Sequence, residues 1–576
     1  MNRKRFVEIS TGLAGAFATI PFSGLYEIYN PSAKRAGSPD NADELSADLV
    51  ICGGGLGGCA ATLAALRNNL KVILTEETDW VGGQLSQQGV PPDEHPWIET
   101  YGATQLYRDF RNSIRLYYKQ NYPLTQMARA DNFLNPGDGS VSKLCIEPKV
   151  AMKVLLNMLN PFIDSKRLIL LTDYKIVSAD VAGNKVRSLK AVHQIQGKSV
   201  ILAAPYFIDA TELGDLLPLT GTEFITGAES RNITRELHAP EKANPESNQA
   251  FTACFAMDYI PGEDHLIEKP RDFDYWRNFK PALKPSWPGK LLDLHYSNPA
   301  TLETKELAFN PEKTDTSPHL NLWTYRRIIN KNNFKPLTFP SDITVVNWPQ
   351  NDFMSGNLIG AGPEEFKRLI ESSKQLSLSL LYWLQTEAPR PGNGRGWPGL
   401  HLRKDIMGTE DGLAKYPYIR ESRRIKALFT ILEEHVGREN RSLITGKNNN
   451  TAADFYDSVG IGYYHIDLHP SCTGNNYIDF DSLPFQIPLG ALIPERIENL
   501  IPANKNIGTT HITNGCYRLH PVEWNIGESA GSLIAFAMNK KVTPAVVREN
   551  KNLLLDFQNL IRSQGIETSW PNIQEK

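Results

Sequence analysis

Six cysteines in 576 residues, Cys52, Cys59, Cys145, Cys254, Cys472 and Cys516, include no C-x-x-C pair. That spacing excludes a redox dithiol and a zinc ribbon and leaves mostly reduced, buried thiols as the plain reading. No stretch of about 18 uninterrupted apolar residues occurs, so no membrane span is expected in the mature chain. Neither sign of charge prevails: 61 Lys and Arg face 64 Asp and Glu, for a net charge of −3. A nucleic-acid partner needs a clustered basic excess, and none is present. Internal repeats and low-complexity tracts are missing too. What remains is an ordinary globular composition, 41% hydrophobic and 22% charged. Its length exceeds what one core usually holds, so at least two domains are expected.

The first residues stand apart. Arg3-Lys4-Arg5 precedes a mildly apolar run from Ile9 to Phe22, and Ala16-Phe17-Ala18 offers an A-x-A cleavage site. A basic segment followed by a short apolar one reads as an export leader, similar to a twin-arginine signal with Lys4 at the second arginine. This implies a periplasmic protein; a disordered cytoplasmic leader is the alternative. Asn30 to Ser46 reads as a linker, giving a leader region of 1–46.

Asp48 to Cys52 is a short apolar run suited to a buried parallel strand. Gly53-Gly54-Gly55-Leu56-Gly57-Gly58 follows, then the helix-forming run Ala60 to Leu66, stopped by Asn68-Asn69. Lys71 to Thr75 is the next strand. A G-x-G-x-x-G turn between strand and helix brings backbone close to a pyrophosphate, and the helix N-terminus supplies unpaired N–H donors to it. Glu76 ends the second strand, 21 residues beyond Gly55, where a carboxylate accepts hydrogen bonds from a ribose.

Glu76-Glu77 followed by Gly82-Gly83-Gln84 resembles flavoproteins of the glutathione-reductase-like superfamily. Tyr206 to Thr211, a strand ending in Ala210-Thr211, resembles the segment closing the FAD site, although Glu212-Leu213 stands where that superfamily usually has glycine. Gly515 to Pro521, with Gly527 and Gly531, resembles its flavin-contacting segment, and Pro521 suits the first turn of a helix. The runs from Asp209 to Pro218 and from Asn514 to Glu528 are similar to a bacterial family called FAD-dependent oxidoreductases. The resemblance implies FAD as cofactor, held by Gly53, Gly55, Leu56, Gly57, Gly58, Glu76, Glu77, Gly83, Gln84, Val177, Ala210, Thr211, Pro521, Val522 and Gly527.

The implied fold is α/β: a Rossmann-like FAD-binding domain with a parallel central sheet, interrupted by a mixed α+β substrate domain. The FAD domain takes 47–225, with an insertion at about 86–144, and 485–540. The substrate domain takes 226–484, rich in Trp, Tyr, Pro and Asn, with a long amphipathic helix from Pro363 to Thr386. A helix and tail fill 541–576. Gly392 to Gly396 has no strand before it and is a loop, so no second nucleotide domain is expected.

Hydride transfer between a small organic substrate, hydroxylated or carbohydrate-derived, and flavin needs a proton acceptor. His520 leads, with Arg518 as substrate holder and His511 near the same cavity. Tyr463 to His469 offers a second set: in an extended segment His465, Asp467 and His469 share one face. A flavin enzyme needs no metal there, and none is expected. A non-catalytic FAD-bearing binding protein and an NAD-dependent dehydrogenase are the alternatives. The electron acceptor has no signature.

Overall fold

Leu49-Val50-Ile51-Cys52 buries every side chain, but on two different sides. Leu49 and Ile51 join one hydrophobic cluster and Val50 and Cys52 another. Successive strand residues point to opposite faces, so a strand covered on both must be apolar throughout. In this computed structural model residues 43–313 and 318–571 are described, and the export-leader expectation at Arg3 to Phe22 lies outside them.

The elements that position the site are β1 (Asp43–Ser46), β2 (Leu49–Cys52), α1 (Leu56–Arg67), β3 (Val72–Thr75), α2 (Pro148–Asp164), β4 (Leu168–Leu171), β5 (Tyr174–Ala182), β6 (Lys185–His193), β7 (Ser199–Ala203), β8 (Tyr206–Asp209), α3 (Pro363–Thr386), β9 (Leu500–Pro502) and α4 (His520–Lys540). The central sheet has the order β9-β8-β2-β3-β4, with every pair parallel. This is the parallel core of a Rossmann-like domain. Helices α1, α2 and α4 cover one face. The other is covered by a second sheet, β1-β7-β6-β5, through Ile176, Val186, Leu189 and Leu202.

One expectation needs correction here. Asp43 to Ser46 is not linker but a strand, with Leu45 opposite Leu202 in a parallel pair with β7. Leu45 packs on the cluster between the two sheets, which a run of polar neighbours conceals in the sequence.

α1 and α4 touch backbone to backbone. A Cβ on Gly527 would lie 2.0 Å from the Gly57 carbonyl oxygen, and one on Gly531 would lie 2.2 Å from that of Ala61. The last part of the FAD-binding unit is thereby fixed to the first.

The remaining core belongs largely to the segment between β8 and β9. Arg327–Ile329, Ile343–Val346, Phe255–Tyr259 and Leu400–Leu402 form an antiparallel sheet in that order. α3 runs across the associated core, burying Leu369, Leu376, Leu380 and Leu384. Its ends match the sequence reading because Gly362-Pro363 starts it, with proline tolerated in the first turn.

Candidate active site

The first cleft opens at the carboxyl ends of the central strands. Gly53, Gly55, Glu76, Glu77, Ala210, Thr211, Glu212 and Tyr416 line it, with Tyr174 and Ile176 of β5. Gly53 follows β2 with φ +100°, and a Cβ there would meet the Ala210 carbonyl oxygen at 2.2 Å. Only glycine allows that bend. Gly57 and Gly58 serve packing instead: a Cβ would lie 1.7 Å from the Ala503 oxygen and 1.9 Å from the Gly53 oxygen.

Glu76 faces this cleft. Its Oε2 accepts from the Gly54 amide at 2.8 Å and its Oε1 from the Thr78 amide at 2.9 Å. Burial pushes its carboxyl up to about 7, against these hydrogen bonds. Glu77 pairs with Lys175 at 3.1 Å. The Gly83 amide donates to Gln87 Oε1, and Gln84 Nε2 donates to the Arg518 carbonyl at 3.0 Å and to Glu523.

The donor set fits FAD. α1 is capped by Gly55 with no side chain of its own and has no acidic residue in its first turn; Glu523 takes the Gly57 amide, and the Leu56 amide beside it suits an external anion. Lys505, just beyond β9, brings a buried ammonium paired with Glu212. Glu212 Oε1 is buried without a partner, and Glu523 Oε1 accepts from the Gly57 amide at 3.2 Å. Glu212 stood out in the sequence as a departure from the superfamily's glycine, whereas Lys505 and Glu523 carried no signal there. The rule that ligands bind beyond the carboxyl ends of parallel strands points to Lys505 and Glu212, which follow β9 and β8.

Several residues expected to hold FAD do not line this cleft. Val177 sits at a bulge where the ladder passes from Ile176 to Ser178, and its side chain is 43% exposed. Leu56, Pro521, Val522 and Gly527 are buried in the packing of α1 and α4 and do not line the cleft.

A second cavity, of about 150 Å³ and partly open to solvent, adjoins the Arg518 segment. Arg518, His465 and His469 line it, with Asp467 between the two histidines in sequence, as the extended spacing requires. Asp93, Arg326 and Arg420 reach the same wall from distant segments. The segment 416–420 joins the two spaces: Tyr416 lines the cleft, while Tyr418 and Arg420 line the cavity. The Tyr416 amide donates to the Gln87 carbonyl at 3.0 Å.

His469 Nδ1 lies 2.6 Å from Asp352 Oδ2. Asp352 is fully buried and held by Arg420 at 2.8 Å and the Thr252 hydroxyl at 2.8 Å. Burial alone would raise its carboxyl, but Arg420 and His469 hold it below the usual range. His469 Nε2 stands 3.7 Å from Asp467 Oδ2, beyond hydrogen-bond distance. Asp467 accepts from Arg518 at 2.9 Å. Its burial is outweighed by His469, Arg518 and His465, which keep it far below the carboxylate range. His465 pairs with Asp479 at 2.7 Å; burial pulls its pKa down, but that bond and the nearby carboxylates raise it overall.

His520 and His511 do not line the cavity. His520 is fully buried, its Nδ1 accepts from the Asp93 amide at 3.0 Å, and burial pulls its pKa down to about 4. Its neutral ring therefore carries hydrogen on Nε2, which has no partner. His511 Nδ1 lies 2.8 Å from Glu421, which also holds Arg424 at 2.6 Å. That makes His511 part of a buried ion network.

A cleft at the carboxyl ends of a parallel sheet, opened by a glycine turn, is the setting of a dinucleotide-binding protein. The chain belongs to the family described as FAD dependent oxidoreductase, whose profile matches residues 48–560. It is thus an FAD-dependent oxidoreductase, with FAD as its cofactor. No curated protein matches the sequence. Similar solved structures include the Pyrococcus horikoshii L-proline dehydrogenase, 14% identical over 33% of this chain and 25% of that one, with a TM-score of 0.18. Bacillus halodurans glycerol-3-phosphate dehydrogenase complexed with FAD is 12% identical over 37% and 40%, with a TM-score of 0.20. A mutant of Escherichia coli quinol fumarate reductase FrdA is 11% identical over 91% and 74%, with a TM-score of 0.29. The chain spans well under half the length of the first two.

Proposed function

We propose that the enzyme moves a hydride between flavin and a small hydroxylated substrate held in the cavity beside Arg518, with His469 as the proton acceptor. The observation that carries this reading is the His469–Asp352 pair. A buried carboxylate fixes a hydrogen on Nδ1 and turns Nε2 toward Asp467 and the cavity. Bound FAD supplies a two-electron carrier at its flavin ring. His469 takes the substrate's hydroxyl proton at Nε2 while Nδ1–H stays on Asp352, and Arg420 keeps Asp352 ionised as the imidazolium forms. Asp467 orients Arg518, and Tyr296 and Trp348 give the wall an apolar side that limits water.

His520 takes a different part. With Nδ1 engaged by Asp93 and hydrogen on Nε2, neither nitrogen offers a free lone pair. We assign it to holding the 90–93 segment against the first turn of α4. The leader Arg3-Lys4-Arg5 supports export to the periplasm of a protein already folded around FAD.

Anaerobic mixing of the holoenzyme with a panel of alcohols, sugars, sugar acids and amines tests the reaction class. Loss of flavin absorbance near 450 nm with hydroxylated compounds is expected. Bleaching by amines alone would overturn it.

A further inference from the structure

The three guanidiniums that line the cavity already have their carboxylates. Arg326 lies against Asp93 at 3.2 Å, Arg420 against Asp352 at 2.8 Å and Arg518 against Asp467 at 2.9 Å, while Asp479 is paired with His465 at 2.7 Å. No cation is left in the wall for an anionic ligand to neutralise. The guanidiniums also lie deep, their side chains 9% exposed at most, against 15% for Asp467, 17% for Asp479 and 19% for His469. The polar surface that the cavity offers is therefore made chiefly of carboxylates and imidazoles.

Asp467 and Asp479 stand directly opposite each other where Ile466–Leu468 pairs with Ile478–Phe480, so their side chains share one face. Like charges in that position repel. Each carboxylate engages one oxygen, Asp467 Oδ2 with Arg518 and Asp479 Oδ1 with His465. Asp467 Oδ1 and Asp479 Oδ2 accept no hydrogen bond among the described residues, which leaves two free acceptors side by side on the wall. Tyr296, Trp348, Tyr464 and Tyr477 line the same space with aromatic rings.

A carboxylate ligand would bring acceptors to acceptors and negative charge to negative charge. An ammonium would enter a wall that holds three guanidiniums and find Asp467 and Asp479 already paired. A hydroxyl donates to a carboxylate oxygen without adding charge, in a bond roughly twice as strong as one between neutral groups. A ring that carries several hydroxyls and apolar C–H groups suits both the carboxylates and the aromatic rings. The cavity is partly open to solvent, so a substituent on that ring can project outward.

Resting on the reading that this cavity is where substrate meets flavin, we infer that the substrate is a neutral sugar whose hydroxyls donate to Asp467 and Asp479. The reacting hydroxyl lies at His469 Nε2. Its carbon gives up a hydride to the flavin and its oxygen gives up a proton to His469, which leaves a carbonyl on the sugar.

The test titrates FAD-loaded enzyme with glucose, galactose, mannose and their methyl glycosides, and with the uronates and 2-amino sugars that match them. Calorimetry reads binding and anaerobic bleaching reads reaction. At least one neutral sugar is expected to bind about tenfold more tightly than its uronate and its amino sugar. Asp479→Asn keeps the shape of the side chain and removes its charge. It is expected to weaken that neutral sugar about tenfold and to narrow its margin over the uronate. A uronate or amino sugar that binds wild type as tightly as the best neutral sugar, or no binding by any of them, overturns the inference whether or not the variant folds. Unchanged neutral-sugar affinity in folded Asp479→Asn overturns it too. Neutral sugars that bind as expected but never bleach flavin support the ligand class and sink the proposed reaction. Bleaching by a uronate when no neutral sugar binds leaves that reaction standing and sinks the inference.

Discussion

His469 and His520 divide two tasks that the sequence placed on one residue, and their variants separate them. His469→Ala should slow substrate-driven flavin reduction by about 10² to 10⁴ and flatten the rise of its rate with pH, with FAD content unchanged. His520→Ala should leave that pH dependence in place and lower stability, by unpairing the Asp93 amide that its ring accepts from. Reduction kinetics across pH, with thermal melts, check both. A wild-type pH profile in His469→Ala would end its assignment as the base. Glu236 offers a separate test of burial. Its Oε1 accepts from the Thr510 hydroxyl and from the Glu433 amide at 2.9 Å, its Oε2 has no partner, and burial pushes it up to about 7 from 4.5. A raised carboxyl favours folding fully below its unfolded pKa and loses that contribution as pH rises through its folded value. Gln does not titrate and keeps both accepted bonds. The stability of Glu236→Gln relative to wild type should climb from pH about 4.5 to about 7, by on the order of a few kcal/mol, in denaturant melts.

Two glycines contrast a ligand contact with a helix contact. A Cβ on Gly55 would point at the flexible carboxylate ends of Glu212, at 3.1 Å, and Glu523, at 3.5 Å. Gly55→Val should therefore fold and lose FAD. Gly527 faces the Gly57 backbone, so Gly527→Val must push α4 off α1, costing about 1–3 kcal/mol or more and FAD with it. Flavin content and melting temperature distinguish the two. Local elements were legible because their signals are local: β2-α1-β3 from an apolar run, a glycine turn and Asn68 at the helix end, and α3 from Pro363 and its apolar stripe. β1 was not, because what makes it a strand is Leu202, over 150 residues away. In the cavity, His465, Asp467 and His469 were legible as one strand face. Asp93, Arg326 and Arg420 were not, because three separate loops bring them to that face and no spacing encodes the meeting. His520 misled for a similar reason: its motif gave its place in the chain, but the Asp93 amide that occupies its ring nitrogen comes from the other end of the fold.

For the whole molecule, location and cofactor loading belong together. On the proposed twin-arginine-like export, the protein is loaded with FAD before it crosses, and replacing Arg3 and Lys4 together should leave FAD-containing enzyme in the cytoplasm. Cell fractionation with flavin fluorescence checks this, and unchanged periplasmic recovery would remove the export reading. The segment from Tyr416 to Arg420 carries a consequence of another kind. Its one end lines the FAD cleft, its other end lines the substrate cavity, and it is tied at Gln87 to the Gly83 turn. A ligand that shifts this short piece of chain from one side acts on the other, and any such effect on the two binding equilibria is reciprocal. Whatever factor substrate adds to FAD retention, FAD must add to substrate affinity, and a protein stripped of flavin should be a poor receptor for its own substrate.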